Sequence, residues 1–218
     1  MKNGIDTILL DLGGVLIDVD YERTAREFAA LGFPDFDRLY SKAKQDHLFD
    51  GFETGHLSPA QFRDGVRRIL TPSLPLSGGE GLNDATIDRC WNAMLGSIPP
   101  ERMRLVEDLR ARYQVLLLSN TNAIHVPAFT EIIRQENGIA DFKGCFHGAY
   151  YSCEIGLRKP HAESFHHVLQ LHGADPARTL FIDDSMQHVV GAREAGLRAE
   201  HLELAREDVM RMAERLAL

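Results

Sequence analysis

The stretch Ile8-Leu9-Leu10-Asp11-Leu12-Gly13-Gly14-Val15-Leu16 decides the fold of this chain. Its apolar run has the length of a strand and ends at Asp11, which places the carboxylate at the carboxyl end of a buried strand. Ligands bind at that edge in open α/β sheets. Gly13 and Gly14 let the backbone turn sharply and come close to a ligand. A carboxylate held there could attack phosphorus and form an aspartyl-phosphate, although a solvated aspartate in a turn explains this segment alone equally well.

The composition of the 218-residue chain is that of an ordinary soluble protein, with 44% hydrophobic and 26% charged residues. Its formal net charge of -8, without a basic block, gives no reason to expect a nucleic-acid partner. Three scattered cysteines without a Cys-x-x-Cys pair favour a reducing compartment, so we predict a cytoplasmic location. We expect no membrane partner, because no apolar run approaches ~18 residues and the N-terminus does not resemble a signal peptide.

The periodicity of apolar residues predicts strands at 7–11, 115–118, 145–151, 179–182 and 198–203. It predicts helices at 21–31, 36–49, 59–70, 83–95, 100–112, 122–136, 161–172, 186–195 and 205–216, and composition predicts a loop at 71–79. Strand and helix alternate after residue 97, as is typical of an α/β fold with a doubly wound, Rossmann-like parallel sheet.

Between the first two predicted strands lie about 75 residues without a strand pattern, too many for a simple connection. We interpret them as a small all-helical cap domain, residues 17–96, inserted after strand 1 of a core domain made of residues 1–16 and 97–218. Asp18-Val19-Asp20 and Gly96-Ser97 would be its hinges. Phe52 and Trp91 within it are predicted to pack in its interior rather than to contact a ligand.

Polar residues follow three of the predicted strands, at Asp11, Ser119-Asn120 and Asp183-Asp184, and Arg158-Lys159-Pro160 precedes a predicted helix. The carboxyl ends of parallel strands converge on one edge, so we expect these groups to meet. Together they offer an oxygen nucleophile, donors for phosphoryl oxygens, a cation, and carboxylates for Mg²⁺. The acidic set contains no His or Cys, which makes zinc a poor candidate.

In type and order these motifs resemble those of the haloacid dehalogenase superfamily. They are Asp11-Leu12-Gly13-Gly14-Val15, Leu118-Ser119-Asn120-Thr121-Asn122, Arg158-Lys159-Pro160 and Phe181-Ile182-Asp183-Asp184-Ser185. They span the predicted core, and the insertion lies where this family places its small cap domain. The chain is most similar to the branch of small sugar-phosphate phosphatases that resemble alpha-glucose-1-phosphate phosphatase. Those proteins also combine a glycine two places after the nucleophile with Ser-Asn-Thr-Asn and Arg-Lys-Pro motifs.

The resemblance implies a Mg²⁺-dependent phosphatase that hydrolyses small phosphate monoesters, such as sugar phosphates with a sugar 1-phosphate among them, through an aspartyl-phosphate. Asp11 would be the nucleophile, and Lys159 would neutralise both Asp11 and the transferring phosphoryl group. The phosphate-binding residues would be Leu12, Gly13, Ser119, Asn120 and Lys159. The metal ligands would be Asp11, Gly13 through its carbonyl oxygen, Asp183 and Asp184. The implied partner is a small-molecule phosphate ester, bound by a monomer or a homodimer.

Gly13 departs from the pattern of most phosphatases in this superfamily, which carry an Asp there as general acid and base. The leaving group must then take its proton from elsewhere, with Asp18, Asp20, His47 and His56 as candidates. Two alternatives stay open. One is a 2-haloacid dehalogenase, which would also lack that second Asp but is not expected to carry an acidic pair after its fourth strand. The other is a catalytically weak regulatory or binding protein on the same fold.

Overall fold

The structure is a computed structural model that describes residues 4–33, 47–70 and 82–218. Five strands of the described chain form one sheet in the order β3-β2-β1-β4-β5. They are β1 (Thr7–Leu10), β2 (Gln114–Ser119), β3 (Gly148–Tyr151), β4 (Thr179–Asp183) and β5 (Arg198–His201). Every neighbouring pair is parallel, and β1 lies at the centre with Leu10 opposite Leu117 of β2 and Ile182 of β4. The predicted doubly wound parallel sheet is therefore confirmed.

Four described helices lie between β1 and β2: α1 (Tyr21–Ala30), α2 (His47–Glu53), α3 (Pro59–Leu70) and α4 (Asp84–Asn92). Six more follow: α5 (Pro100–Arg110), α6 (His125–Asn137), α7 (Ser152–Ile155), α8 (Ala162–Leu171), α9 (Met186–Glu194) and α10 (Val209–Leu216). Among the described residues, none of these helices has the length and apolarity that crossing a membrane requires. Most of the helix predicted at 36–49 and the loop predicted at 71–79 lie outside the described residues.

The central strands are apolar throughout because both faces of the sheet are covered by helices. Leu10 and Leu117 join a cluster with buried side chains of α5, α6 and α10 on one face. Leu9 and Leu116, one position earlier on each strand, join a second cluster with α8 and α9 on the other face. Alternate side chains of a strand point to opposite faces, so both clusters depend on the same register.

Helices α1 to α4 share a hydrophobic cluster of their own. Phe52 and Trp91 are both almost fully buried in it, as predicted. Helix α3 begins at the predicted position with a reciprocal cap: the backbone N–H of Gln61 donates to Ser58 Oγ at 3.3 Å, and the N–H of Ser58 donates to Gln61 Oε1 at 2.9 Å. We call residues 17–96 the helical insertion.

The two chain segments that join the helical insertion to the sheet run side by side. Val19 and Leu95 form an antiparallel bridge. The N–H of Asp18 donates to the carbonyl of Ser97 at 3.0 Å, and the N–H of Gly96 donates to the carbonyl of Asp18 at 2.8 Å. A side chain at Gly96 would place its Cβ 2.8 Å from that same Asp18 oxygen, so the close pairing requires glycine there.

Several boundaries differ from those predicted, for local reasons. Helix α6 begins at His125 rather than 122, because the side chain of Asn122 accepts from the N–H of His125 at 3.0 Å and ends the preceding loop. Helix α10 begins at Val209 rather than 205, where Asp208 caps it through the N–H of Arg211. The short helix α7 was not predicted, since four residues carry no readable periodicity.

Candidate active site

Two buried carboxylates and one lysine meet at the carboxyl edge of the sheet. Asp11 follows β1 directly, and Asp183 ends the neighbouring strand β4. Nζ of Lys159 lies 2.7 Å from an oxygen of Asp11 and 2.7 Å from an oxygen of Asp183. Lys159 and Asp183 are 0% exposed. The structure thus brings together three residues that the sequence placed at separate points of the chain.

The backbone of Lys159 is fixed by the residue that follows β2. The side-chain amide of Asn120 donates to the carbonyl of Lys159 at 2.9 Å, and its oxygen accepts from the N–H of Lys159 at 3.0 Å. This two-way contact ties the end of β2 to the segment that precedes α8. Ser119, the last residue of β2, is buried beside it.

All predicted site residues except Lys159 and Asp183 line one cavity above this edge. They are Asp11, Leu12, Gly13, Ser119, Asn120 and Asp184. Lys159 and Asp183 lie beneath it, behind Asp11. The helical insertion also contributes to the wall, through Tyr21, Glu53, Met94 and Leu95.

The charges in this cluster shift one another's pKa values. Burial raises the pKa of Asp11 to about 8, reinforced by the negative charge of Asp183 and opposed by Lys159. Burial also acts to raise the pKa of Asp183, but Lys159 and His188 hold it well below its usual range. The pKa of Lys159 is raised, because the two carboxylates outweigh the effect of burial. Without a metal, the cluster therefore favours a protonated Asp11 beside the ion pair of Lys159 and Asp183.

Asp184 approaches the cluster over the loop that follows β1. Gly14 has a φ of +74°, and a Cβ at Gly14 would lie 2.5 Å from Oδ2 of Asp184. Glycine is thus required both by the backbone conformation and by the nearby carboxylate. The charge of Asp184 also contributes to raising the pKa of Asp11.

His188 belongs to the same cluster and was missed from the sequence. Its Nδ1 lies 3.0 Å from Oδ2 of Asp183, and ligand atoms of Asp11, Asp183 and His188 fall within 4.8 Å of one another. The set of Asp11, Asp183 and Asp184 that the sequence suggested did not include this histidine. The signal in the sequence was the spacing. His188 lies in the first turn of the helix that follows β4, and a side chain in that turn lies close to the end of the strand.

A family model for haloacid dehalogenase-like hydrolases matches residues 5–196 of the chain. The chain is a haloacid dehalogenase-like hydrolase. The family predicted from the four motifs is thereby confirmed.

Solved structures of the family superpose on this hydrolase over nearly its whole length. A HAD family enzyme of Bacteroides thetaiotaomicron, an aspartate-to-alanine mutant in complex with magnesium and inorganic phosphate, is 34% identical with a TM-score of 0.85, and the match covers 95% of this chain and 98% of that one. A predicted HAD-like family hydrolase of Porphyromonas gingivalis is 28% identical with a TM-score of 0.82, covering 98% of each chain. An L-2-haloacid dehalogenase of Xanthobacter autotrophicus shares the fold at 20% identity and a TM-score of 0.62, covering 98% of this chain and 82% of that chain.

Two curated relatives are similar over most of their length. One, D-ribitol-5-phosphate phosphatase of Bacteroides thetaiotaomicron, is 27% identical over 197 residues, which cover 88% of this chain and 89% of the relative. The other, a sesquiterpene phosphatase of Aspergillus oryzae, is 37% identical over 201 residues, which cover 89% and 88%.

The four side chains named as replacement proton donors for Gly13 do not line the cavity of this hydrolase. Asp18 points outward and pairs with Arg102 at 2.8 Å, and Asp20 caps α1 by accepting from the N–H of Glu22 at 3.0 Å. His47 and His56 line a different groove. Their placement follows from contacts distant in sequence, which composition and spacing do not reveal.

Glu53 and His125 do line the cavity, and neither was predicted. Glu53, at the end of α2, is buried and pairs with Arg158 at 3.1 Å. Arg158 precedes the central lysine and also pairs with Asp50 of α2. The family motif therefore contacts the helical insertion through one residue and the buried carboxylates through the next.

Proposed function

We propose that this hydrolase is a Mg²⁺-dependent phosphatase of small phosphate monoesters that forms an aspartyl-phosphate on Asp11. One observation carries the proposal: Nζ of Lys159 lies 2.7 Å from both Asp11 and Asp183, under a cavity at the carboxyl edge of the sheet. Both curated relatives are named as phosphatases, and a solved relative binds magnesium and phosphate. These names support phosphate esters as the substrate class and Mg²⁺ as the cofactor.

The residues present fit a hard divalent cation. Asp11, Asp183 and Asp184 bring three carboxylates to one cluster beside Lys159, and the negative charges of Asp183 and Asp184 add to the burial that raises the pKa of Asp11. We propose Asp11, the carbonyl oxygen of Gly13, Asp183 and Asp184 as the residues that hold Mg²⁺, directly or through water. When bound, Mg²⁺ would supply positive charge that keeps Asp11 ionised and offsets charge on the phosphoryl oxygens.

In the first half-reaction an oxygen of Asp11 attacks phosphorus, and the bond from phosphorus to the ester oxygen breaks. Lys159 neutralises charge on the nucleophile and the phosphoryl group, while the Ser119 hydroxyl and the backbone N–H groups of Leu12, Gly13 and Asn120 hold its oxygens. The departing alcohol oxygen takes a proton from water, since residue 13 has no side chain to donate one. In the second half-reaction water attacks the same phosphorus, which releases phosphate and restores the Asp11 carboxylate.

We further propose that residues 17–96 act as a cap over a core of residues 1–16 and 97–218, with hinges at Asp18-Val19-Asp20 and Gly96-Ser97. The insertion has its own hydrophobic cluster and supplies part of the cavity wall. Closing a cap over the cavity would exclude water and strengthen electrostatic interactions within it.

Chelation is the first test of this proposal. With p-nitrophenyl phosphate as substrate, we expect EDTA to lower turnover by at least about 100-fold and added Mg²⁺ to restore it, because the acidic cluster lacks sufficient positive charge of its own. Turnover that persists after chelation would contradict the metal assignment. Chloride release from 2-chloropropionate would instead favour a dehalogenase, and inactivity on every phosphate ester would favour a binding protein.

The missing side chain at residue 13 gives a second test. General acid catalysis contributes about 10²–10⁴-fold, so an ester whose leaving oxygen needs no assistance should react faster. We expect glucose 1-phosphate, with its anomeric leaving oxygen, to be cleaved at least about tenfold faster than glucose 6-phosphate, and Gly13→Asp to narrow that ratio. A Cβ at this position would lie 3.4 Å from Val19 Cγ2, an ordinary contact, so the variant has room. Equal rates on glucose 1-phosphate and glucose 6-phosphate would refute the argument that the leaving group limits the rate.

A further inference from the structure

The ring of His125, the first residue of α6, contacts the end of helix α4 in the helical insertion. Trp91 of α4 stacks on it, with ring centroids 5.1 Å apart and planes 5° apart. The next residue of α4, Asn92, places its side-chain oxygen 2.8 Å from Nδ1 of His125. The end of one helix therefore fixes both the plane of the ring and one of its two nitrogens.

The contact with Asn92 also determines which ring nitrogen carries the hydrogen. An amide oxygen only accepts hydrogen bonds, so Nδ1 of His125 is the donor. Burial lowers the pKa of His125 to about 3, and the ring is neutral near pH 7. Nε2 is then left with a lone pair, as an acceptor.

His125 is part of the wall of the cavity that Asp11 lines. Trp91 covers one face of the ring and Asn92 binds Nδ1, which leaves the edge with Nε2 for the cavity. Within the described part of the chain, no donor forms a hydrogen bond with Nε2. Nε2 is accessible to solvent, so a donor on an entering molecule can replace water as its partner.

A second acceptor lies in the same wall. Glu53, the last residue of α2, lines the cavity and pairs with Arg158 at 3.1 Å. A molecule with hydroxyl groups can donate to Nε2 of His125, whereas a hydrocarbon chain would leave that nitrogen without a donor.

We propose that Nε2 of His125 accepts a hydrogen bond from a hydroxyl group of the substrate and thereby selects hydroxylated phosphate esters over apolar ones. The inference rests on the proposed phosphatase function, and it names a residue that sets the specificity of the phosphatase for its substrate. A site built to bond a hydroxyl discriminates against an analogue that lacks it, because the polar group of the site then stays unpaired. The curated relatives differ in this property of their substrates, since one is named for a polyol phosphate and the other for a sesquiterpene.

The test compares esters that differ in their hydroxyl groups. D-ribitol 5-phosphate and n-pentyl phosphate share a five-carbon chain, and wild-type kcat/KM should favour ribitol 5-phosphate. In His125→Phe, which keeps an aromatic ring beside Trp91, we expect the ratio of the two kcat/KM values to fall about 10- to 100-fold, mainly through KM. His167→Phe, on α8 and outside the cavity, is the matched control and should keep the wild-type ratio.

Asn92 provides variants that leave the histidine in place. Asn92→Asp preserves an acceptor for Nδ1 and should keep the selectivity, while Asn92→Leu frees the ring and should reduce it. An unchanged ratio in both His125→Phe and Asn92→Leu, or a wild-type preference for n-pentyl or farnesyl phosphate, would overturn the inference while leaving the phosphatase proposal intact. Wild-type inactivity on all of these esters and on p-nitrophenyl phosphate would overturn both.

Discussion

Asp11→Asn is expected to lower turnover by at least about 10³-fold and, at the same time, to stabilise the metal-free protein. The amide keeps the shape of the side chain but is a poor nucleophile. It also removes a carboxylate whose pKa is raised to about 8 by burial and by Asp183, so that ionising it in the folded state is unfavourable. Phosphate release measures the loss of turnover. Thermal unfolding in EDTA measures the gain in stability of the metal-free protein.

The gain in stability should depend on pH with a definite sign. Between about pH 4 and pH 8 the folded protein retains a proton on Asp11 that the unfolded chain has released, so metal-free stability falls as pH rises. Asp11→Asn should therefore raise Tm more at pH 8 than at pH 5, by about 2–4 °C for each kcal/mol gained in a chain of this size. Asp108→Asn, at an exposed position of α5, is the control. If Asp11→Asn retains a large share of wild-type turnover, the aspartyl-phosphate is ruled out.

Lys159→Met is expected to abolish turnover and to destabilise the protein by about 3–5 kcal/mol, because it leaves the buried carboxylate of Asp183 without its cation. Lys159 is 0% exposed and lies 2.7 Å from Asp11 and from Asp183. Methionine retains a long apolar side chain, so the loss of stability should reflect the missing charge of Lys159 rather than a change in side-chain volume. Urea unfolding in EDTA measures the loss of stability, which should grow above about pH 8, where Asp11 of the folded wild-type protein is ionised and also depends on Lys159.

Two further variants separate charge from packing at this lysine. Lys143→Met breaks an exposed pair with Glu154 at 2.6 Å, and it should change stability by less than about 1 kcal/mol. Adding Asp11→Asn to Lys159→Met should recover part of the lost stability above about pH 8, since Asp11 can then no longer carry a second uncompensated charge. Equal losses in Lys143→Met and Lys159→Met, or no recovery in the double variant, would contradict the charge argument.

The sheet and the residues at its strand ends were predictable because their signals are local. Apolar runs mark the buried strands, and polar residues such as Asp11 and Asp183 stand where those runs stop. The parallel arrangement then brings the strand ends together without knowledge of any side-chain contact.

The rest of the cavity wall was not predictable, because it depends on contacts between distant parts of the chain. From the sequence, Glu53 resembles an exposed residue at the end of a helix, and its pairing with Arg158 is seen only in the structure. In the same way, His125 resembles a residue at the start of a helix, and only the structure shows Trp91 stacked on it. The predicted proton donors failed for the same reason, since Asp18 and Asp20 are engaged by arginines that spacing alone does not assign to them. Both parts of the chain form the cavity wall, and a single sequence carries little local information about contacts between them.

The paired crossing at Asp18 and Ser97 makes the insertion exchangeable. Because the chain leaves and returns at neighbouring positions, a segment of almost any length can be spliced between them without disturbing the register of β1 and β2. The entropy of closing such a loop grows only slowly with its length. A change in the insertion can therefore reshape the part of the cavity wall formed by Tyr21, Glu53 and Met94 while Asp11 stays in contact with Lys159.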